Sequence, residues 1–190
     1  MTVYERLRPL LFRLSPEHAH RFSQTAFKFI QETSFRRGFE AALSVSDGRF
    51  TTTVLDRQFP NPVSVAVGYN RCAEVPHRLS ALGFGFVKVG GVTAQPQGGN
   101  PRPRLFCLSE DHGLITRLGL NNDGAAVVGK RVAAADTQVP IGVTLAKGEA
   151  VPLEAAAADY RQGYKAVTAG DFSGERLVPE LPGVRDAPDA

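Results

Sequence analysis

Three stretches of this sequence gather amide, hydroxyl and cationic side chains with glycines at the ends of apolar runs. They are Ala66-Val67-Gly68-Tyr69-Asn70-Arg71, the long segment from Gly90-Gly91-Val92-Thr93 through Gly98-Gly99-Asn100 to Arg104-Leu105-Phe106, and Leu114-Ile115-Thr116-Arg117-Leu118-Gly119-Leu120-Asn121-Asn122. Other chemistry finds little support. Cys72 and Cys107 lack CxxC spacing and are too few for a metal site, so they read as two reduced thiols of a cytoplasmic protein. His18 and His20, two apart, fall on different faces of a helix, and the four histidines show no metal-ligand spacing.

The elements that must position these loops follow from periodicity and turn residues. Tyr4–Leu14 reads as a short helix with Leu7, Leu10, Leu11 and Leu14 on one side. Ser15-Pro16 is a helix start, with serine at the N-cap and proline at the first helical position. Behind it Ala19, Phe22, Ala26, Phe29 and Ile30 recur every three or four residues, which predicts an amphipathic helix over Pro16–Gln31. Such a helical pair must dock its apolar side on the body of the protein or on a membrane. Turns at Asp47-Gly48 and Asp56-Arg57 flank the β-branched run Phe50–Leu55, which predicts a small β-hairpin.

From Pro62 strand and helix alternate. Strands are expected at Val63–Val67, Phe84–Val89 and Val139–Leu145, with a weak fourth at Glu175–Val178. Helices are expected at Ala73–Leu82, Asp123–Ala135 and Val151–Gln162. Repeated βα units with apolar strands indicate an α/β fold with a parallel sheet. A complete (β/α)₈ barrel takes about 250 residues. The expectation is therefore an α/β protein comprising a partial, half barrel of TIM type, preceded by an N-terminal helical hairpin and a small β-hairpin. The division expected is residues 1–43 for the helical hairpin and 44–190 for the half barrel. In a β/α barrel the loops after the strands carry the chemistry, and the three stretches above are those loops.

Composition bounds the partners. At 43% hydrophobic and 22% charged the chain is of ordinary globular type. No apolar run approaches the roughly 20 residues that span a bilayer, and Met1–Leu14 lacks the uninterrupted apolar stretch of a secretory signal. Net charge is +3, with lysine and arginine scattered apart from Arg36-Arg37, which argues against a nucleic-acid partner. The first 40 residues are locally basic, with Arg6, Arg8, Arg13, Arg21, Lys28, Arg36 and Arg37 against Glu5, Glu17, Glu32 and Glu40. A basic amphipathic segment of this kind can rest on an anionic membrane surface. The expected location is the cytoplasm, with peripheral attachment to the inner face of the cell membrane.

The long second loop, with "GGVTAQPQGGNPRPRLF" followed by "TRLGLNN", resembles the dihydroorotate dehydrogenase family. "NPVSVAVG" is similar to the strand leading into that family's flavin loop, and "RPLLFRLSPEHAHRF" to the two-helix extension of its quinone-dependent class. The resemblance covers almost the whole chain. It implies FMN at the top of a barrel, oxidation of dihydroorotate to orotate in pyrimidine synthesis, and electron transfer to a quinone held near the N-terminal helices. Carried over residue by residue, it implies flavin contacts at Ala66, Gly68, Gly91, Thr144 and Lys147, and substrate contacts at Arg71, Thr116 and Asn121.

The sequence departs from the family pattern at working positions. The family's A-A-G-x-D-K ends here in Asn70-Arg71, and arginine keeps the charge of lysine but not its shape or reach. Thr116 and Thr144 stand where the family has asparagines, and Leu120 and Ala146 replace a phenylalanine and a glycine. A hydroxyl cannot reproduce an amide that donates and accepts at once. Alignment on Pro179 and Pro182-Gly183-Val184-Arg185 puts Val178 at the position of the catalytic serine base, with Glu175 and Glu180 at two asparagines. Valine accepts no proton, so no catalytic base is expected.

Three readings follow. The first is a truncated, degenerate homologue that does not catalyse the reaction alone. The second is a residual flavin-binding enzyme or subunit, completed by a partner chain that supplies the other half of the barrel or by self-association. The third is a non-catalytic module that uses the N-terminal helices at a membrane or on another protein. Flavin absorbance separates the second from the others, and vesicle co-sedimentation separates the third.

Overall fold

The computed structural model describes residues 15–31, 47–54, 56–76, 79, 81–108, 110–111, 113–135, 137, 139–169 and 179–180, together with Arg6, Arg8, Phe12, Gly38, Ala41 and Leu43. Most of the expected helix Tyr4–Leu14, and Glu175 to Val178 of the expected fourth strand, lie outside the described residues.

Helix α1 spans Pro16–Gln31, as the cap and periodicity predict. Along its apolar repeat Ala19 and Ala26 are half-buried. Phe22 of the apolar repeat is 64% exposed. The polar side, with Glu17, His20, Ser23 and Gln24, faces the rest of the protein.

A two-stranded antiparallel ribbon follows, β1 (Thr52–Val54) paired with β2 (Arg57–Phe59) around Asp56, which takes φ 58°. Phe59 meets Phe86 edge to face at 5.6 Å, so the ribbon packs against the base of the sheet.

That sheet has four parallel strands in the order β3 (Ser64–Val65), β4 (Phe86–Val92), β7 (Ile141–Leu145) and β8 (Pro179–Glu180). Val87 pairs with Ile141 and Val89 with Val143, and the register shifts between Gly90 and Val92. Asn61 ties the start of β3 to the turn before β4: its Oδ1 accepts from the Val63 and Gly85 amides at 3.0 and 3.1 Å, and its Nδ2 donates to the Gly83 carbonyl at 2.9 Å.

Helices α2 (Ala125–Ala133) and α3 (Ala156–Thr168) cross over between the strands and pack against each other. A turn of 3₁₀ helix, Leu153–Ala155, leads into α3. Val87, Val89, Ile141 and Val143 of the sheet, Val128 and Val132 of α2, and Val167 of α3 are all 0% exposed. Burying each such side chain contributes about 1.5–3 kcal/mol, so this sheet–helix layer is the main source of stability. A Cβ at Gly129 of α2 would sit 2.7 Å from the Val167 carbonyl oxygen, so glycine sets the distance between the helices.

Several boundaries move from their expected places. The helix predicted from Ala73 does not begin there. Ala73 takes φ 52°, and Asn70 Oδ1 accepts from the amides of Glu74 and Val75 at 3.0 and 3.4 Å, which delays the helical turn; the described helical positions are Pro76 and Leu79. The predicted Val151–Gln162 helix starts two residues later and runs on to Thr168, because Val167 belongs to the core. The segment expected as one long loop contains a second antiparallel ribbon, β5 (Leu105–Leu108) with β6 (Gly113–Thr116). Its strands are largely exposed, so they lack the apolar alternation by which a half-buried strand is recognised.

Candidate functional site

A cavity of about 580 Å³ lies between α1, the loop after β3, residues 102–105 and the β5–β6 ribbon. Of the residues expected to contact ligand, it gathers Gly68, Arg71, Thr116 and Asn121. Ala66, Gly91, Thr144 and Lys147 lie outside its lining. They belong to the C-terminal ends of the parallel strands: Ala66 follows β3, Gly91 is in β4, Thr144 is in β7 and Lys147 follows it. Thr144 pairs with Gly90 across the sheet and is 8% exposed.

Arg71 organises the inner wall. Its Nη1 donates to the Gly119 carbonyl and, at 3.0 Å, to Asn121 Oδ1. Its Nε is buried without a partner. Burial pulls the guanidinium below its ordinary basicity, and Arg104 nearby adds to that. Beside it Asn70, 1% exposed, uses its Oδ1 as a cap and leaves Nδ2 without a partner. An aspartate, which the family pattern has here, accepts the same amides and carries no surplus donor. Lys147 is turned onto its own loop, where Nζ donates to the carbonyls of Gly148 and Val151.

Asn122, 4% exposed, joins the long loop to the loop after β6. Its Oδ1 accepts from the amides of Thr93 at 3.3 Å and Gly124 at 2.9 Å, while Nδ2 donates to Thr93 Oγ1 and the Leu120 carbonyl. Asn100 Nδ2 donates to the Arg117 carbonyl at 2.9 Å. The amides of the quoted motifs thus hold loops together, one link below any chemistry.

The outer wall is α1. Glu17 Oε1 accepts from the Arg104 amide at 2.8 Å, and its carboxylate lies 3.7 Å from Arg102. Arg104 Nη2 in turn donates to the Gly98 carbonyl at 2.8 Å. His20 meets the Tyr69 ring edge-on at 5.0 Å. Burial holds its imidazole below the ordinary histidine range; Glu74 opposes this and Arg71 adds to it. Cys72 also lines the cavity, and burial pushes its thiol up. The cavity therefore pairs a cationic wall of Arg71, Arg102 and Arg104 with apolar Leu105, Leu114 and Leu118.

Sequence reasoning did not single out Glu17, His20, Gln24, Tyr69 or Arg104 as cavity residues. Glu17 reads as a favourable first-turn acid, and nothing local signals a bond to an amide 87 residues away. For all but Gln24, the one signal was membership of the segments that carry the resemblance.

Among the described residues no group of three His, Cys, Asp or Glu side chains is placed to hold a metal ion. No helix among them is long and apolar enough to cross a membrane.

The architecture is that of a mixed α/β protein with parallel strands, whose loops at the carboxyl ends of the strands meet an N-terminal helix over a cavity. The chain belongs to the dihydroorotate dehydrogenase family: the family's sequence profile matches residues 49–174. It is 45% identical over 188 residues to a dihydroorotate dehydrogenase (quinone) of Natronomonas pharaonis, covering 98% of this chain and 54% of that protein. A second quinone-type relative, from Haloarcula marismortui, is 42% identical over 90% of this chain and 49% of its own length. Two crystal structures of dihydroorotate dehydrogenase from Eimeria tenella are similar in fold. One, in complex with ferulenol, matches with a TM-score of 0.65 at 30% identity, over 80% of this chain and 41% of that one. The other, ligand-free, matches with a TM-score of 0.64 at 29% identity, over 87% and 45%. The chain spans about half the length of the curated relatives it matches.

Proposed function

We propose that these residues form the N-terminal half of a dihydroorotate dehydrogenase-type barrel that retains the ligand-binding scaffold but does not by itself oxidise dihydroorotate. The observation that carries this reading is the engagement of Arg71. The residue that the resemblance places against substrate and flavin spends its Nη1 on Gly119 and Asn121 of its own chain, which ties the guanidinium to the loop after β6. Thr116 and Thr144 add hydroxyls where the family pattern has amides, and Val178 stands where the resemblance puts the base. Incubating the purified chain with dihydroorotate, FMN and a soluble quinone tests this. No turnover above a protein-free blank is expected, and measurable orotate formation overturns the reading.

The strand ends fit the flat face of a flavin. Ala66 and Gly68 are exposed, and a Cβ at Gly68 would meet nothing within 4 Å, so a planar ring can approach there. Ala66, Gly68 and Gly91 would hold the ring, with Thr144 at its side. When bound, FMN supplies the two-electron acceptor of the reaction. Lys147 keeps its charge but spends two of its three donors on carbonyls of its own loop, which leaves one for a ligand. Affinity is therefore expected to be weaker than about 1 μM, read by quenching of flavin fluorescence, and tighter binding contradicts this.

Two partner surfaces accompany the proposal. The exposed Phe22 offers an apolar contact to a membrane or quinone-bearing surface, and anionic vesicles are expected to sediment the chain. Strand β3 has a hydrogen-bonded neighbour on one side only among the described residues. Open edges recruit partners, so association with a second copy or a complementary half is expected to rise with concentration in sedimentation runs.

A further inference from the structure

The contact between α1 and the body has a character of its own. Among residues 15–26 none is buried, and no described α1 residue joins the apolar core cluster. Over residues 16–26 the helix meets the body through polar contacts at two places. At its first turn Glu17 accepts from the Arg104 amide at 2.8 Å. One to two turns further on, three residues converge on Tyr69: Ser23 Oγ shares a hydrogen bond with the Tyr69 hydroxyl at 2.9 Å, Gln24 Nε2 donates to the Tyr69 carbonyl at 3.4 Å, and His20 packs edge-on against its ring. A segment such as 15–26, in which no residue is buried, opens locally at a cost well below that of global unfolding. When α1 lifts, the cavity behind it loses its outer wall, since Pro16, Glu17, His20, Arg21 and Gln24 belong to that wall.

We propose that α1 is a strap latched on Tyr69, which opens and closes the cavity and is released when His20 takes up a proton. The imidazole is half-buried, and that burial, more than any neighbouring charge, disfavours the imidazolium. Arg71 approaches it from the loop after β3, Arg21 lies one residue on along α1, and Arg102 and Arg104 line the same cavity from the segment before β5. Glu74 from the β3 loop favours the imidazolium more than Arg71 disfavours it, and Glu17 on α1 is engaged with Arg102 and the Arg104 amide. Tyr69 and Cys72 are the remaining titratable neighbours.

The sign follows from the depressed basicity of His20. The docked state disfavours imidazolium and the lifted state restores the ordinary value of 6.5. The lifted state therefore binds more protons between the docked pKa and 6.5, and docking weakens as pH falls through that window. Above 6.5 the latch has its full strength.

Hydrogen exchange of the whole chain, read by mass spectrometry and corrected for the intrinsic exchange rate at each pH, tests this with no ligand present. Segment 16–26 is expected to lose protection several-fold between pH 7.5 and 5.5, while β4 and β7 stay protected. Tyr69→Phe and, separately, Ser23→Ala remove the hydroxyl pair and should speed exchange of that segment about fivefold at pH 7.5. His20→Gln should abolish the pH dependence while leaving the Tyr69→Phe effect intact. The proposal is overturned if α1 exchanges in step with the core at every pH, if both hydroxyl variants leave its exchange unchanged, or if the pH dependence survives in His20→Gln.

Discussion

Arg71 and Asn121, 50 residues apart in the chain, meet through a 3.0 Å hydrogen bond that joins the loop after β3 to the loop after β6. The same guanidinium nitrogen serves the Gly119 carbonyl. One side chain thereby ties two loops together at the inner wall of the cavity.

Replacing Arg71 by alanine removes both bonds and leaves a half-buried carbonyl and amide without partners. A stability loss of about 1–3 kcal/mol is expected, with a larger rise in exchange at 118–121 than elsewhere. Denaturant unfolding measures the first and hydrogen exchange the second. An unchanged midpoint would show that water satisfies the freed groups.

Asn70→Asp tests the surplus donor. The carboxylate keeps both amide contacts to Glu74 and Val75, strengthens them by its charge, faces Arg71 across the cavity wall, and eliminates the unpartnered Nδ2. The variant is expected to match or exceed the parent by up to about 1 kcal/mol at pH 7. A loss of stability would show that desolvating the carboxylate outweighs the improved cap.

Gly129→Ala tests the approach of α2 to α3. The new methyl would lie 2.7 Å from the Val167 carbonyl oxygen and 2.9 Å from its Cα, both backbone atoms that cannot swing aside. Overpacking of this kind costs about 1–3 kcal/mol, against a gain in helix propensity of up to about 1 kcal/mol. The thermal midpoint should fall, and a rise would mean the helices separate more easily than the packing suggests.

The two thiols should differ in reactivity. Cys107 is exposed on the β5–β6 ribbon, whereas Cys72 is half-buried and its thiol is pushed up by that burial. Since the thiolate is the nucleophile, alkylation at pH 8 should modify Cys107 several-fold faster, and the Cys72 rate should keep climbing above pH 9. Peptide mapping after timed quenching reads both rates. Equal rates at pH 8 would contradict the burial of Cys72.

Local signals in the sequence were enough for α1, for the β1–β2 ribbon and for the order of βα units, because serine and proline at a helix start, Asp56 at a turn and runs of valine and isoleucine act within a few residues. They also carried the family, through loop motifs whose polar residues keep their types in a fixed order. Tertiary structure decided the rest. That α1 docks by Glu17, His20, Ser23 and Gln24 and leaves Phe22 exposed depends on Tyr69 and Arg104, which lie far away in the chain. The delayed helix after Ala73 depends on where the Asn70 side chain finds its amides. Arg71 could be read as a cation at a strand end, but whether that cation faces a ligand or the Gly119 carbonyl is set by how two loops 50 residues apart pack together. A sequence pattern records which groups are available. Which partner each group takes depends on distances that only the folded chain brings within hydrogen-bonding range.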